Sequence, residues 1–139
     1  MRIAFGTDER TPVTDGLVAK LAERGHEIVV RIEDDPWPDV GRRVGEAVAR
    51  GQADRGVVCC WTGTGVSIAA NKVPGVRAAL CTDAETARGA RRWNDANVLA
   101  FGLRLTSPTV AAELVDAFLT TDADPDETSV IATVEPDGT

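Results

Sequence analysis

The sequence predicts an α/β fold, a three-layer, Rossmann-like arrangement of five parallel strands with helices on both faces of the sheet. Two observations carry this prediction. Short runs of consecutive apolar residues, typical of strands buried on both faces, recur along the chain. Amphipathic segments separate them, so each strand is followed by a helix that crosses back over the sheet.

The first half of the chain holds three of the predicted strands. Leu17 and Leu21 give the first helix an apolar face, and Gly25 ends it. Two prolines, Pro36 and Pro38, lead into the second helix, which closes at Gly51. The predicted strands of this half cover residues 3–6, 28–32 and 55–60, and its predicted helices cover residues 13–24 and 39–50.

The second half repeats the alternation of strand and helix. A loop rich in glycine and threonine precedes its first helix, which we expect to include residues 68–71. The remaining predicted strands cover residues 77–81 and 97–101, and the remaining predicted helices cover residues 84–92 and 108–119. Residues 1–121 therefore form one predicted domain. Residues 122–139 form an acidic C-terminal tail without lysine or arginine, predicted to be flexible or to order against a partner subunit.

Composition excludes several function classes. A net charge of −7 disfavours nucleic acid and anionic membranes as partners, and no apolar run approaches the roughly 18 residues of a membrane span. Three cysteines do not form a disulfide framework, and the chain starts directly with a strand pattern rather than a signal peptide. We therefore expect a cytoplasmic protein. A single histidine and scattered carboxylates predict no metal site, and no nucleotide cofactor is expected.

The loop after the third strand is the strongest candidate for a binding site, because ligands of open parallel sheets bind beyond the carboxyl ends of the strands. Gly63 and Gly65 let backbone amides approach a ligand, and the following helix directs its positive end at the same place. This arrangement suits a phosphate, a carboxylate or an enediolate. At the end of the strand, Cys60 is either a base or nucleophile with a lowered pKa or a small buried apolar residue.

Strand alternation limits the cysteine candidates. Neighbouring residues in a strand point to opposite faces, so at most one of Cys59 and Cys60 faces the site. We interpret Cys59 and Cys81 as buried apolar residues.

Three stretches resemble a known family. They are the run from Thr62 to Cys81, the segment from Asn94 to Gly102, and the opening residues 3–8. The chain is similar over about residues 1–120 to the type B ribose-5-phosphate isomerases and the galactose-6-phosphate isomerase subunits, of which it resembles a divergent member.

The resemblance implies an aldose–ketose isomerisation through a cis-enediolate. Cys60 matches the residue that moves the proton between C1 and C2, and Thr62 matches a hydroxyl near the sugar oxygens. Asp8 and Asn94 match residues that hold sugar hydroxyls, and Arg104 matches an arginine that contacts the phosphate. The loop that holds the enediolate matches Gly63, Thr64, Gly65, Val66 and Ser67. The family forms dimers with shared sites, so a homodimer or a dimer of dimers is implied.

Several departures from the family pattern change the expected substrate. Glu9 and Trp93 stand where the family has histidines, Trp61 stands where it has a glycine, and Trp37 where it has a tyrosine. The C-terminal arginines that clamp the phosphate in the family are absent. A carboxylate at Glu9 repels a phosphate, and tryptophans make a pocket narrower and more apolar. We therefore include Glu9, Trp37, Trp61 and Trp93 among the substrate-binding candidates.

The hypothesis from the sequence is a sugar isomerase that uses Cys60 as its base and acts on a sugar or sugar phosphate other than ribose 5-phosphate. Two alternatives stay open. One is a non-catalytic sugar-binding or regulatory homologue, and the other is one subunit of a heteromeric isomerase.

Overall fold

The structure, a computed structural model, describes residues 1–136. Its strands are β1 (Arg2–Thr7), β2 (Glu27–Glu33), β3 (Arg55–Cys60), β4 (Ala78–Leu80) and β5 (Val98–Gly102). Its helices are α1 (Pro12–Glu23), α2 (Trp37–Ala49), α3 (Thr64–Asn71), α4 (Ala84–Asn94), α5 (Pro108–Thr120) and α6 (Thr128–Ala132). A single 3-10 turn among the described residues covers Pro125–Glu127. None of the helices described is long and apolar enough to span a membrane.

The five strands form one parallel sheet in the order β2-β1-β3-β5-β4. The predicted fold class is confirmed. The chain moves outward from β1 to β2 and then returns to place β3 on the other side of β1. Strand order therefore reverses between β1 and β3, which is where open sheets of this kind bind ligands.

Each face of the sheet carries its own apolar layer. On one face, α1, α4 and α5 cover Phe5, Leu99 and Phe101. On the other, α2 and α3 cover Val58 and Val98. Burial of each large side chain stabilises the fold by about 1.5–3 kcal/mol. The two cysteines at the end of β3 divide between these layers, with Cys59 in the first and Cys60 in the second.

Two helices begin earlier than predicted. The second helix was expected from residue 39, but α2 begins at Trp37 and takes Pro38 into its first turn, where a missing amide hydrogen costs no helical hydrogen bond. The third helix is expected to follow Gly65 and to include residues 68–71, whereas α3 begins at Thr64. Glycine and threonine are poor formers of a helix interior, yet here they occupy its first turn.

The edge strand β4 is bordered by a side chain. The amide of Asn71 donates to the Ala78 carbonyl at 3.0 Å and its oxygen accepts from the Ala78 amide at 2.8 Å. Asn71 thereby takes the place of a neighbouring strand at this residue.

The predicted acidic tail carries the 3-10 turn and α6. The Asp124 amide donates to the Arg92 carbonyl at 2.9 Å, and the Glu135 carboxylate pairs with the Arg77 guanidinium. The Glu135 side chain is 11% exposed. Residues 122–136 are thus attached to their own chain at both ends. The final part of the predicted tail, residues 137–139, lies outside the described residues.

Candidate active site

Cys60 and Asp8 lie side by side at the carboxyl ends of adjacent strands. In the pairing of β1 with β3, Thr7 is opposite Cys59, and the Asp8 amide extends the ladder by donating to the Cys59 carbonyl at 3.4 Å. Asp8 therefore follows the end of β1 level with Cys60, the last residue of β3. The two residues lie on neighbouring strands at the point where strand order reverses.

The other two cysteines are unsuited to proton transfer. Burial raises the pKa of Cys59 to about 12 and that of Cys81 to about 11. Both thiols stay protonated at neutral pH, as expected for small buried apolar residues. Cys60 is 5% exposed and ends its strand directly before the glycine loop.

The Asp8 carboxyl has an open hydrogen-bonding position. Its Oδ1 atom is buried and has no hydrogen-bond partner among residues 1–136. Burial, followed by the charge of Glu9, raises the pKa of Asp8 above its ordinary value. Buried polar atoms are normally paired, so a ligand hydroxyl is a fitting partner for this oxygen.

The first turn of α3 presents backbone amides beside Cys60. Its N-cap, Gly63, has a φ of 79°, and within the described part of the chain no side chain caps this helix end. By contrast, Thr11, Asp83 and Ser107 cap α1, α4 and α5. The first amides of a helix have no intrahelical acceptor, and the helix dipole adds positive potential. This end of α3 is therefore suited to a developing oxyanion.

Hydroxyl groups flank these amides. The Oγ1 atoms of Thr62 and Thr64 lie 2.9 Å apart and share a hydrogen bond, while the Ser67 amide donates to the Gly63 carbonyl at 3.2 Å. Val66 is fully buried under the loop. The predicted residues from Cys60 to Ser67 thus form one continuous surface around the thiol.

Close packing fixes the glycine loop against β5. A β-carbon at Gly63 would lie 2.6 Å from the Phe101 carbonyl carbon and 2.8 Å from the Gly102 nitrogen. A β-carbon at Gly102 would in turn lie 2.6 Å from the Thr62 oxygen. The glycines therefore serve contact between backbones as well as the positive φ at residue 63.

We expect Gly63→Ala to destabilise the fold by about 2 kcal/mol or more, because the methyl group meets backbone atoms and the left-handed φ disfavours a side chain. Urea denaturation measures this change. The matched control is Gly16→Ala in α1, where a β-carbon has no neighbour within 4 Å. That substitution should stabilise the helix by about 0.5–1 kcal/mol. Equal stability of the two variants would contradict the packing described here.

Three further candidates border the loop. The Trp37 ring lies over Gly65, where a β-carbon would be 2.8 Å from the indole. Trp61 is 58% exposed beside Cys60, and its carbonyl accepts from the Arg104 amide at 2.8 Å. The Arg104 side chain is exposed and forms no ion pair with residues 1–136.

Glu9 lies in the turn after β1 and is exposed. The next residue, Arg10, is held away from a ligand, because its guanidinium pairs with Asp15 at 3.1 Å and with Glu33 at 3.6 Å. The charge contributed by this turn is therefore negative.

Two candidates lie elsewhere in the chain. Trp93 and Asn94 form the last turn of α4, which runs from the carboxyl end of β4 to the start of β5. Arg77, just before β4, donates to the Asp95 carbonyl at 2.9 Å and marks the same edge of the sheet. Within a single chain, Trp93 and Asn94 therefore lie near the N-terminal ends of the strands, whereas Cys60 lies at the carboxyl ends.

A groove runs along β4 from the N-terminal ends of the strands toward their carboxyl ends. Its volume is about 1300 Å³, and it is walled by β4, α4 and the segment around α6. At one end the Leu80 side chain meets the glycine loop, since a β-carbon at Gly63 would lie 2.7 Å from its methyl group. Trp93 and Asn94 lie at the other end. Four exposed apolar side chains line this groove: Leu80, Trp93, Val130 and Val134.

Comparison with known proteins decides the family. The sequence model described as "Ribose/Galactose Isomerase" matches residues 3–132. The chain belongs to the ribose/galactose isomerase family. The resemblance seen in the sequence is thereby confirmed.

Individual relatives align with most of the length of this isomerase. Ribose-5-phosphate isomerase B of Escherichia coli is 42% identical over 123 residues, covering 85% of this chain and 83% of that protein. D-erythrulose-4-phosphate isomerase of Pectobacterium atrosepticum is 37% identical, covering 86% and 82%. The solved structure of Clostridium thermocellum ribose-5-phosphate isomerase B has a TM-score of 0.88 at 37% identity, covering 96% and 95% of the two chains.

The one histidine of this isomerase stands away from the loop. His26 precedes β2 at the opposite edge of the sheet, and its Nδ1 lies 3.0 Å from the N-terminal amine. Among the described residues, no three His, Cys, Asp or Glu side chains are grouped as metal ligands.

Sequence reasoning missed Leu80, Val130 and Val134 as groove residues. The spacing of apolar residues at 130, 131 and 134 is a helical signal within the acidic tail, and it indicates a short amphipathic helix.

Proposed function

We propose that the chain interconverts an aldose and its ketose through a cis-enediolate, with Cys60 as the base. The observation that carries this proposal is the uncapped first turn of α3 directly after Cys60, with the unpaired Asp8 Oδ1 at the end of the neighbouring strand β1. It supplies a proton acceptor, a partner for a sugar hydroxyl and donors for an oxyanion in one place.

In the proposed reaction the Cys60 thiolate takes the proton from C2 of the aldose. The C–H electrons form the C1–C2 double bond, and the carbonyl oxygen at C1 becomes an oxyanion held by the amides after Gly63. The hydroxyl proton then moves from O2 to O1, and the Cys60 thiol returns its proton to C1, leaving the carbonyl at C2. The open Oδ1 of Asp8 holds a sugar hydroxyl during these steps.

We propose that the substrate is a short, open-chain sugar phosphate rather than ribose 5-phosphate. Glu9 adds negative charge at the loop, and Arg10 is paired with carboxylates. The α3 amides hold the oxyanion, so the exposed Arg104 is the group that favours a phosphate, and it provides one positive charge. A four-carbon sugar phosphorylated on O4 cannot close a five-membered ring, so it needs no ring opening. D-erythrulose 4-phosphate, which appears in the names of two relatives, is of this kind.

We propose that a second copy of the chain completes the site. A half-turn about an axis through the β4 groove exchanges the two ends of that groove. Trp93 and Asn94 of one copy then approach Cys60 of the other, while exposed apolar side chains of both copies are buried. The closed product is a homodimer, which can pair further into a dimer of dimers.

Proton NMR in D2O tests the proposal. The protein is incubated with ribose 5-phosphate and with free and phosphorylated sugars of three to six carbons, and deuterium at C1 or C2 is measured. We expect exchange, with a four-carbon sugar phosphate faster than ribose 5-phosphate. Fastest exchange with ribose 5-phosphate would contradict the substrate proposal. Tight binding without exchange of any sugar would indicate a binding protein instead of an enzyme.

A further inference from the structure

Thr7 carries a buried hydroxyl that the proposed reaction does not use. It is the last residue of β1 and is fully buried. Its Oγ1 donates to the Glu9 carbonyl at 2.7 Å and accepts from the Glu9 amide at 3.2 Å. A single side chain therefore binds both backbone polar groups of the residue two positions later and closes a tight turn.

This turn has Asp8 at its centre. The Thr7 carbonyl accepts from the Asp34 amide at 3.2 Å, and the Asp8 amide donates to the Cys59 carbonyl at 3.4 Å. The backbone on both sides of Asp8 is thus tied to β2, to β3 and to the Thr7 hydroxyl. The Asp8 carboxyl retains only the rotations of its own short side chain.

The fixed turn accounts for an unfavourable feature of the site. A buried oxygen without a hydrogen-bond partner is unfavourable, so a carboxyl on a free loop would turn toward water. Asp8 Oδ1 nevertheless stays buried and unpaired within the described chain. The rigid backbone turn fixes the Cα atom of Asp8 and so limits the positions that this oxygen can reach.

We propose that Thr7 is a positioning residue of the isomerase, whose hydroxyl holds the Asp8 carboxyl beside the Cys60 thiol. Its effect on turnover rests on the proposed function, while its effect on Asp8 does not. Two groups act on Asp8: Glu9 belongs to the turn, and Cys59 belongs to β3. The carboxylate of Asp34, the residue after β2, accepts a hydrogen bond from the Arg10 amide at 2.9 Å.

Two substitutions separate the hydroxyl from the methyl group. Thr7→Val keeps the shape and removes the hydroxyl, whereas Thr7→Ser keeps the hydroxyl. We expect Thr7→Val to lower kcat by about 10- to 100-fold with a smaller change in KM, because a displaced catalytic group loses its alignment. Thr7→Ser should stay within about threefold of the unmodified protein, since both hydrogen bonds survive.

A titration of the free protein tests the positioning directly. The pKa of Asp8, raised by burial and by Glu9, is measured from the carbon-13 shift of its carboxyl group. In Thr7→Val it should fall toward the ordinary aspartate value as the carboxyl turns to water, and in Thr7→Ser it should stay raised. If Thr7→Val does not fold in a thermal melt, Thr7→Ala serves as the hydroxyl-free variant.

The outcomes separate the two proposals. An unchanged kcat and an unchanged Asp8 titration in the hydroxyl-free variant would overturn the role of Thr7. A loss in Thr7→Ser equal to that in Thr7→Val would assign the effect to packing. If the unmodified protein turns over no sugar, the proposed function fails, while the titration still decides whether Thr7 holds Asp8.

Discussion

Replacing Cys60 with alanine is expected to lower deuterium incorporation into the sugar by about a thousandfold or more, while the fold is retained. Alanine cannot accept the C2 proton, and general-base catalysis is worth about 10²- to 10⁴-fold. The α3 amides remain in place, so sugar binding should weaken less than turnover. Single-turnover exchange in D2O measures the rate, and calorimetry measures the binding.

Cys59→Ala is the matched control for this experiment. Cys59 is adjacent in sequence but lies in the opposite apolar layer, with its pKa raised to about 12. Its loss removes one buried sulfur, so we expect a destabilisation of about 1 kcal/mol with turnover largely kept. Full activity in Cys60→Ala, or equal losses in both variants, would contradict Cys60 as the base.

Mixing two inactive variants is expected to restore activity. Cys60→Ala damages the loop half of the site and Asn94→Ala damages the α4 half. In a random mixture of homodimers that share sites, about half of the dimers are mixed and each mixed dimer has one intact site. Turnover should therefore return to about a quarter of that of the unmodified protein, measured after the subunits have been dissociated and reassociated together.

The control mixture combines Cys60→Ala with Asp8→Asn. Both substitutions lie at the same end of the groove, so no mixed dimer has an intact site. Its turnover should not exceed the mean of the two parents. If the first mixture also fails to regain activity, the proposal that two chains share a site is contradicted. Co-purification of a different chain of similar size would instead indicate a heteromer.

The strands were predictable because each is a run of apolar residues bounded by polar or glycine residues. β3 was predicted at the residues it occupies, since the apolar run 57–60 follows Arg55 and Gly56 and precedes the glycine-threonine loop. Helix starts were less predictable. α3 begins inside a glycine-threonine run whose intrinsic preference is for a loop, and its packing against β5 outweighs that preference.

The loop half of the site could be predicted from glycine spacing, and the resemblance placed Asp8 among its binding residues, but the exact pairing of the strands that precede them could not be predicted. That pairing depends on the register of β1 with β3, which long-range packing sets. The position of Trp93 and Asn94 depends on the direction of α4 over the sheet. Helix α6 was not predicted, because the acidic composition of residues 122–136 as a whole indicates a flexible segment. The spacing of its few apolar residues is visible only when they are considered one by one.

The Asn71 side chain on β4 has a consequence for how copies of the chain meet. An uncovered strand edge accepts any extended polypeptide, whereas a groove of side chains accepts only a matching shape. In each copy of the folded chain, the Asn71 side chain already occupies the backbone hydrogen-bonding groups of Ala78. At this residue the chain therefore presents a side-chain surface to its neighbours rather than a free strand edge. In a homodimer of the proposed kind, Asn71 protects Ala78 from pairing with the extended backbone of another chain.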